Sequence, residues 1–430
     1  MKAVARSPRQ LLVALFDAAV AAAQPARCLP PHLDGLLQGV AGRIRIVGAG
    51  KAAGAMAQTL EACWTKASER ISGLVVVPYG HAASLRHIES IEAAHPLPDA
   101  ASERAATRML AAVQGLGADD LVLVLLSGGA SALLAAPLAG ITLGEKRAVT
   151  ASLLASGASI DEINTVRKHL SRIKGGRLAL AAQPARVLTL AISDVADDDL
   201  ASLGSGPTAP DPTTCAEALE ICRRHDIVLT PGMAALLGSG QAETPKPGDP
   251  RFAGHEARII ASGRTALAAA AGVARAHGIR PLILGAAIEG EAREVAKAMA
   301  GIARACRQAG TPVAPPCVLL SGGETTVTVR GRGRGGRNGE FLLALALALR
   351  GAAGIHALAA DTDGIDGTGG NAGAFLDPDS LARAGALGID ARGRLLDNDA
   401  HAVFAALDDL LVTGPTRTNV NDFRAILIEP

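Results

Sequence analysis

Three aspartates fall within six positions of "AADTDGIDGTGGNAGAF", residues 359–375, on a backbone nearly free of side chains. Asp361, Asp363 and Asp366 could hold a divalent cation, because Mg²⁺ takes one or two carboxylates and shares its remaining coordination with phosphates and water. They could equally be turn formers, since Asp and Gly dominate turns and an Asp side chain bonds its own backbone. A calcium loop of the EF-hand type is excluded: its fifth, sixth and twelfth positions would be Ile365, Asp366 and Ala372.

Elsewhere single cations sit among glycines. "VGAGKAAGAM" (47–56) ends an apolar run and opens a helix, with Gly48 and Gly50 placed to let the backbone approach a ligand. Lys51, one of eight lysines, lies inside that turn, where direct contact with a phosphate or carboxylate is expected. The dinucleotide fingerprint fits poorly, because Gly54 comes one residue late and the next strand ends in Pro78, Tyr79 and Gly80 rather than an acid. A P-loop is excluded by Arg45 and Ala52. In "VRGRGRGGRNGEF" (329–341), Arg330, Arg332 and Arg334 read as solvated residues of a flexible basic hairpin. Arg337 and Asn338, nearest the helix start, are expected to grip an anion.

Two echoing turns, "LLSGGAS" with Ser127, Gly128 and Gly129, and "LLSGGET" with Ser321, Gly322, Gly323 and Glu324, would each close a strand at its ligand-binding end. Asp194, in "AISDVADDD", is placed for metal or base work, although a strand-end aspartate also caps helices. "INTVRKHLSRIKGGRLA" (163–179) reads as a basic, mainly solvated helix whose Arg167 could border an anion site. No G-x-S-x-G elbow, H-E-x-x-H pair or Cys/His cluster is visible, which weakens hydrolase and zinc-enzyme readings. Glycine turns, single cations and strand-end carboxylates suit phosphoryl transfer, where catalysis is mostly positioning and charge neutralisation.

The elements that must position these residues are also legible. Apolar runs at 43–50, 73–80, 121–129, 187–194, 258–263, 280–285, 317–323 and 355–361 lack polar alternation and alternate with helical segments. That pattern predicts an α/β fold of parallel sheets built from βαβ units. At 430 residues two domains are expected, and the Gly- and Pro-rich segment 237–256 divides them into 1–240 and 251–430. A cleft between them would be the usual ligand site.

A net charge of +1 makes no case for nucleic acid or an anionic membrane surface. Six scattered cysteines read as reduced thiols of a cytoplasmic protein. The residues after the N-terminus predict an amphipathic helix rather than a signal peptide. The longest later apolar run, "FLLALALAL", is far short of the ~20 residues that span a bilayer. Small-molecule partners remain, and a homo-oligomer is compatible with the sequence.

The long motifs "VGAGKAAGAMA", "HPLPD", "LLSGGASALL", "ISDVADDDLASLGSGPTAPDPTT", "SGGETTVTVRGRGRGGRNGEF", "ADTDGIDGTGGNAGA" and "TGPTRTNVNDF", in that order, resemble the glycerate 2-kinases of the MOFRL family, often labelled hydroxypyruvate reductases. The resemblance implies transfer of the ATP γ-phosphoryl group to the 2-hydroxyl of D-glycerate, with ATP and Mg²⁺ as nucleotide and metal. It also implies a larger Rossmann-like N-terminal domain and a smaller α/β C-terminal domain, with Lys51 and Arg337 as catalytic residues. Three positions depart from the family pattern: Gly339 stands for Gln, Arg417 for Gly and Ala130 for Gly. An NAD(P)H-dependent hydroxypyruvate reductase is the rival reading.

Overall fold

The computed structural model describes residues 7–195 and 197–430, which fold into two compact units. One runs from Pro25 to Ile260; the other joins the first helix to Ala261–Pro430.

In the Pro25–Ile260 unit, β1 (Ile44–Ala49), β2 (Ile71–Pro78), β3 (Ile88–Ala93), β4 (Leu121–Leu126), β5 (Arg186–Ile192) and β6 (His255–Ala261) form one sheet in the order β3-β2-β1-β4-β5-β6. β4 reads LVLVLL and every residue is buried, as a strand covered on both faces requires. β1 pairs in parallel with both neighbours, Ala49 lying opposite Val76 of β2 and Leu126 of β4. The chain moves outward through β2 and β3, then returns to the other side of β1. The carboxyl ends of β1 and β4 therefore adjoin where the strand order reverses, the ligand position of doubly wound sheets. β3, IESIEA, was not foreseen, because Glu89 and Glu92 break its apolar pattern at the sheet edge.

The other unit holds β7 (Arg280–Gly285), β8 (Gly290–Glu291), β9 (Cys317–Gly323), β10 (Thr325–Thr326), β11 (Ile355–Asp361), β12 (Gly373–Leu376), β13 (Leu410–Leu411) and β14 (Asp422–Ile428). Its six-stranded sheet runs β13-β12-β11-β14-β9-β7 and is mixed. β7 and β9 are parallel, but β11, β12, β13 and β14 pair antiparallel, as do β14 and β9. The parallel sheet expected here is thus corrected. β9 and β14 are buried along their whole length, so a continuous apolar run reports burial on both faces and not direction.

The expected division also shifts. The segment 237–256 is held inside the first unit, where Arg177 Nη2 donates to the Ala242 carbonyl and Asp211 N–H donates to the Pro245 carbonyl at 2.8 Å. At the other end, the helix Pro8–Ala23 packs on Gly263–Ala276, with Phe16 edge-on to Phe423 at 5.9 Å. Arg9 Nε reaches Asp377 at 2.6 Å, and the same guanidinium pairs with Asp409. Among the described residues no helix is long and apolar enough to cross a membrane.

Candidate functional site

The two glycine turns of the first unit lie side by side at the switch point. Lys51 N–H donates to the Gly128 carbonyl at 2.9 Å, and Ser127 Oγ accepts the Ala52 N–H at 2.9 Å. A Cβ on Gly50 would stand 2.2 Å from Ser127 Oγ, so the two turns meet this closely only with glycine there. The helix Ala53–Cys63 starts at this point with no side-chain cap, and its N-terminal dipole favours an anion. Gly129 lies against the half-buried Lys51 side chain and the ring of His95. His95, from "HPLPD", is a site neighbour that residue-type reasoning passed over.

Behind these turns the basic segment is buried rather than solvated, a second correction. Lys174 is 1% exposed, and its ammonium donates to Ser131 O (2.9 Å), Ser131 Oγ (3.1 Å) and Gly204 O (3.1 Å). It thereby ties the turn after β4 to the one after β5. Ser131 Oγ meets Ser205 Oγ at 2.8 Å, and Ser205 donates to Asn164 Oδ1. Lys146 Nζ donates to the Leu170 carbonyl at 3.0 Å. Burial, then repulsion from Arg177 and Arg167, pulls the Lys146 pKa down to about 7. Burial, then Lys146 and Arg167, drives Lys174 lower in the same way.

Arg167 is half-buried and its pKa is lowered by desolvation, and among the described residues no carboxylate pairs with it. Asp194 follows β5 in a half-buried position. The structure therefore brings Gly50, Lys51, Ser127, Gly128 and Gly129 together. Arg167 and Lys174 lie within electrostatic reach of one another.

In the second unit Arg337 opens the helix Arg337–Leu349 inside a cage of acids. Its Nε donates to Asp422 Oδ1 at 2.7 Å, Nη1 to Glu324 Oε1 at 2.6 Å and Nη2 to Asp361 Oδ2 at 2.8 Å. Burial works against its charge, but Asp422, Asp361 and Glu324 outweigh that and raise its pKa. Asn338 Nδ2 donates to Asp422 Oδ1 at 2.8 Å. Arg424, 1% exposed, donates to the other oxygen of Asp422, bonds Thr325 Oγ1 at 3.0 Å and lies over the Phe341 ring.

Asp422 and Arg424 were missed at the sequence level. Their signal was there: a carboxylate at the mouth of "DFRAILI" and an arginine interrupting its apolar run.

The three loop aspartates take different parts. Asp366 Oδ1 accepts the Asn338 N–H at 3.0 Å and Oδ2 the Gly339 N–H at 2.9 Å, so this carboxylate caps the helix that starts at Arg337. Gly336 lets it in, since a Cβ there would be 2.2 Å from Asp366 Oδ1. Desolvation raises the Asp366 pKa to about 6, although both N–H groups oppose it. Asp361 Oδ1 accepts the Asp363 N–H, and Asp363 Oδ1 accepts the Ile365 N–H. Among the described residues these three do not bring three donor atoms within metal-ligating distance of one another. Ser321, Gly322 and Gly323 end β9 at the Asp422 end of β14.

The basic hairpin is not loose. Asn398 Oδ1 accepts the N–H groups of Arg330 and Gly331, Asp397 Oδ1 that of Arg332 and Asp399 Oδ1 that of Arg334. The side chains of Arg330, Arg332 and Arg334 are exposed, as expected.

Switch-point glycine turns in one unit and an acid-caged arginine at a helix start in the other define a two-domain α/β enzyme of small-molecule type. Residues 11–238 match the family described as Domain of unknown function (DUF4147), and 317–422 match the MOFRL family. The chain is 54% identical over 424 residues to an Agrobacterium vitis protein provisionally named hydroxypyruvate reductase, covering 98% of this chain and 95% of that one. It is 37% identical over 382 residues to the D-glycerate 2-kinase of Thermotoga maritima, covering 88% of this chain and 89% of that one. A crystal structure of glycerate kinase from Thermotoga maritima superposes with a TM-score of 0.87 at 36% identity, covering 98% of this chain and 99% of that one. The chain belongs to the MOFRL family of glycerate 2-kinases.

Proposed function

We propose that this enzyme transfers the γ-phosphoryl group of ATP, with Mg²⁺, to the 2-hydroxyl of D-glycerate, giving 2-phosphoglycerate. The observation that carries the reading is a local surplus of cations around Arg167, in a Pro25–Ile260 unit whose basic and acidic residues otherwise balance. Arg167 has no acid partner among the described residues, the buried lysines beside it are met by carbonyls, and the glycine turns at the switch point carry Lys51. Such a surplus is relieved by an anionic ligand.

In this reading Lys51 and Arg337 neutralise charge on the transferring phosphoryl group or the glycerate carboxylate. Three of the five Arg337 N–H groups are spent on carboxylates, which fixes the plane in which the other two are presented. The turns at Ser127–Gly129 and Ser321–Gly323, with Gly48, Gly50 and Arg167, take phosphates or substrate. Asp194 orients the attacking hydroxyl. Mg²⁺ needs only one or two carboxylates beside phosphates and water. Asp361 and Asp363, on the turn beside Arg337, fit that demand. Both oxygens of Asp361 already accept hydrogen bonds, as do those of the helix-capping Asp366, so an ion would use remaining lone pairs. Asp361 and Asp363 would hold the ion, which supplies charge neutralisation on the nucleotide phosphates.

The name of the 54% relative and the doubly wound strand order favour a second reading, NAD(P)H-dependent hydroxypyruvate reduction. The cation inside the first glycine turn and the Pro78-Tyr79 end of β2 weigh against it. One experiment separates the two: ³¹P NMR of products from D-glycerate, ATP and Mg²⁺, beside an NADH absorbance trace with hydroxypyruvate. A 2-phosphoglycerate resonance with a flat trace is expected. NADH oxidation without a phosphate ester would overturn the proposal, and 3-phosphoglycerate would overturn the regiochemistry alone.

A further inference from the structure

Three segments of the Pro25–Ile260 unit converge outside the glycine turns: the end of the helix Ile160–His169, the start of the helix Cys215–Arg224, and the stretch before Pro245. Each contributes one donor. A ring nitrogen of His169, Cys215 Sγ and a carboxylate oxygen of Glu243 lie within 4.8 Å of one another. His169 and Cys215 are buried, and the Glu243 side chain is 38% exposed.

The hydrogen bonds settle which nitrogen faces the cluster. His169 Nδ1 is 2.8 Å from the Thr165 carbonyl oxygen, which can only accept, so Nδ1 carries a proton. A neutral ring then turns the Nε2 lone pair toward Glu243 Oε1, 3.2 Å away. Thr244 Oγ1 is also near Nε2 at 3.5 Å, but its proton goes to Asp211 Oδ2 at 3.0 Å. A lone pair against a carboxylate calls for a cation there: the Lys246 ammonium that already pairs with Oε1, a second ring proton or a metal ion. The adjacent sulfur makes the metal the better fit, since imidazole, thiolate and carboxylate together are a donor set for zinc.

We propose that His169 Nε2, Cys215 Sγ and the Glu243 carboxylate form a Zn²⁺-type site, with water from the exposed side of Glu243 as fourth ligand. The surroundings have the outer shell such sites use: the Thr165 carbonyl holds Nδ1–H, and Asp211 Oδ2 stands 4.0 Å from the same nitrogen. Binding displaces the thiol proton of Cys215 to solvent and the Lys246 ammonium from Glu243. Lys246 keeps partners, because it already donates to the Thr213 carbonyl and to Thr244 Oγ1. The ion staples two helices and a loop, so its expected role is structural.

The test is Co²⁺ titration of the metal-stripped full chain, followed by absorbance. A sulfur-to-cobalt charge-transfer band saturating at one equivalent is expected, with loss of that band in Cys215→Ser. Glu243→Gln, which keeps the side chain's shape, should weaken binding by at least the roughly 10–100-fold cost of losing an outer-shell partner. Zn²⁺ should raise the Tm of the parent but not of Cys215→Ser. No band in the parent protein would leave the Lys246–Glu243 ion pair in place and overturn the proposal. A band that survives in Cys215→Ser, or undiminished affinity in Glu243→Gln, would do the same. The readouts do not involve turnover, so they stand apart from the kinase reading.

Discussion

The two units handle buried cations in contrasting ways, Lys168 with its Asp211 partner being the exception in the first. In Pro25–Ile260, Lys146 and Lys174 are held by carbonyl and hydroxyl oxygens, and burial with mutual repulsion lowers their pKa values. In the other unit Arg337 and Arg424 share Asp422, and Arg337 has two further acids. A carbonyl stabilises an ammonium without cancelling its charge, whereas a carboxylate cancels it. Around Arg167, where among the described residues no carboxylate pairs with the guanidinium, the first unit is therefore suited to an anion from outside. The second is left with more acid than base around Arg337, suited to a fixed guanidinium and a metal cation. Phosphoryl transfer needs both kinds of environment.

The sharpest way to break this comparison is to remove one cation from each unit. Lys51→Ala and Arg337→Ala should each lower kcat/KM by on the order of 10²–10⁴, the range for a positioned cation or oxyanion donor. Their stabilities should part company. Arg337→Ala leaves Asp422, Asp361 and Glu324 uncompensated and should cost roughly 3 kcal/mol by denaturant unfolding. Lys51→Ala, at a half-buried turn, should shift the midpoint little. Equal destabilisation, or near-parental turnover in either variant, would erase the distinction.

Asp422→Asn tests the acidic cage from the other side. Its side chain is fully buried between Arg337 and Arg424, and neutralising it removes the carboxylate that Arg424 bonds and one of the three around Arg337. The expected loss is roughly 2–3 kcal/mol, with activity falling toward that of Arg337→Ala because Arg337 loses its Nε anchor. A stable, fully active Asp422→Asn would show that Arg337 is oriented by Asp361 and Glu324 alone.

The basic cluster predicts a pH effect of known sign. Folded Lys146 loses its proton at about pH 7, while the unfolded chain holds it to about 10.5. The burial penalty is therefore full below about pH 7 and is relieved as the pH rises toward 10.5. Lys146→Met should be most favoured over the parent near neutrality. That margin should shrink by roughly 2–3 kcal/mol between about pH 7 and pH 9. A margin independent of pH would mean that Lys146 stays charged in the fold.

Legibility followed the same divide. Features set by one short stretch could be read directly: eight strands from apolar runs, Lys51 in its turn, Arg337 at its helix start. Features set by pairing across the chain could not. The direction of β11 and β14 depends on partners, and the burial of Lys168 and Lys174 depends on Asp211, Ser131 and Gly204 far along the sequence. His169, Cys215 and Glu243 showed no metal spacing because each comes from a separate segment. Asp366 looked like its two neighbours in sequence, yet it caps a helix that begins 29 residues earlier, at Arg337.

The smallest effect concerns a departure from the family pattern. Arg417 has φ 60°, the left-handed region that favours the glycine the family resemblance leads one to expect. Its neighbour Thr416 is fixed by an N–H donated to the Asp363 carbonyl at 2.9 Å, so the loop has little freedom to relax that backbone. Arg417→Gly should recover the roughly 1–2 kcal/mol left-handed cost. It gives back roughly 0.4–1 kcal/mol through the freer unfolded chain. The net is a stabilisation of about half a kcal/mol, visible as a small rise in the urea midpoint with an unchanged m-value. A lower midpoint would mean that the Arg417 side chain does more for the fold than its backbone strain takes away.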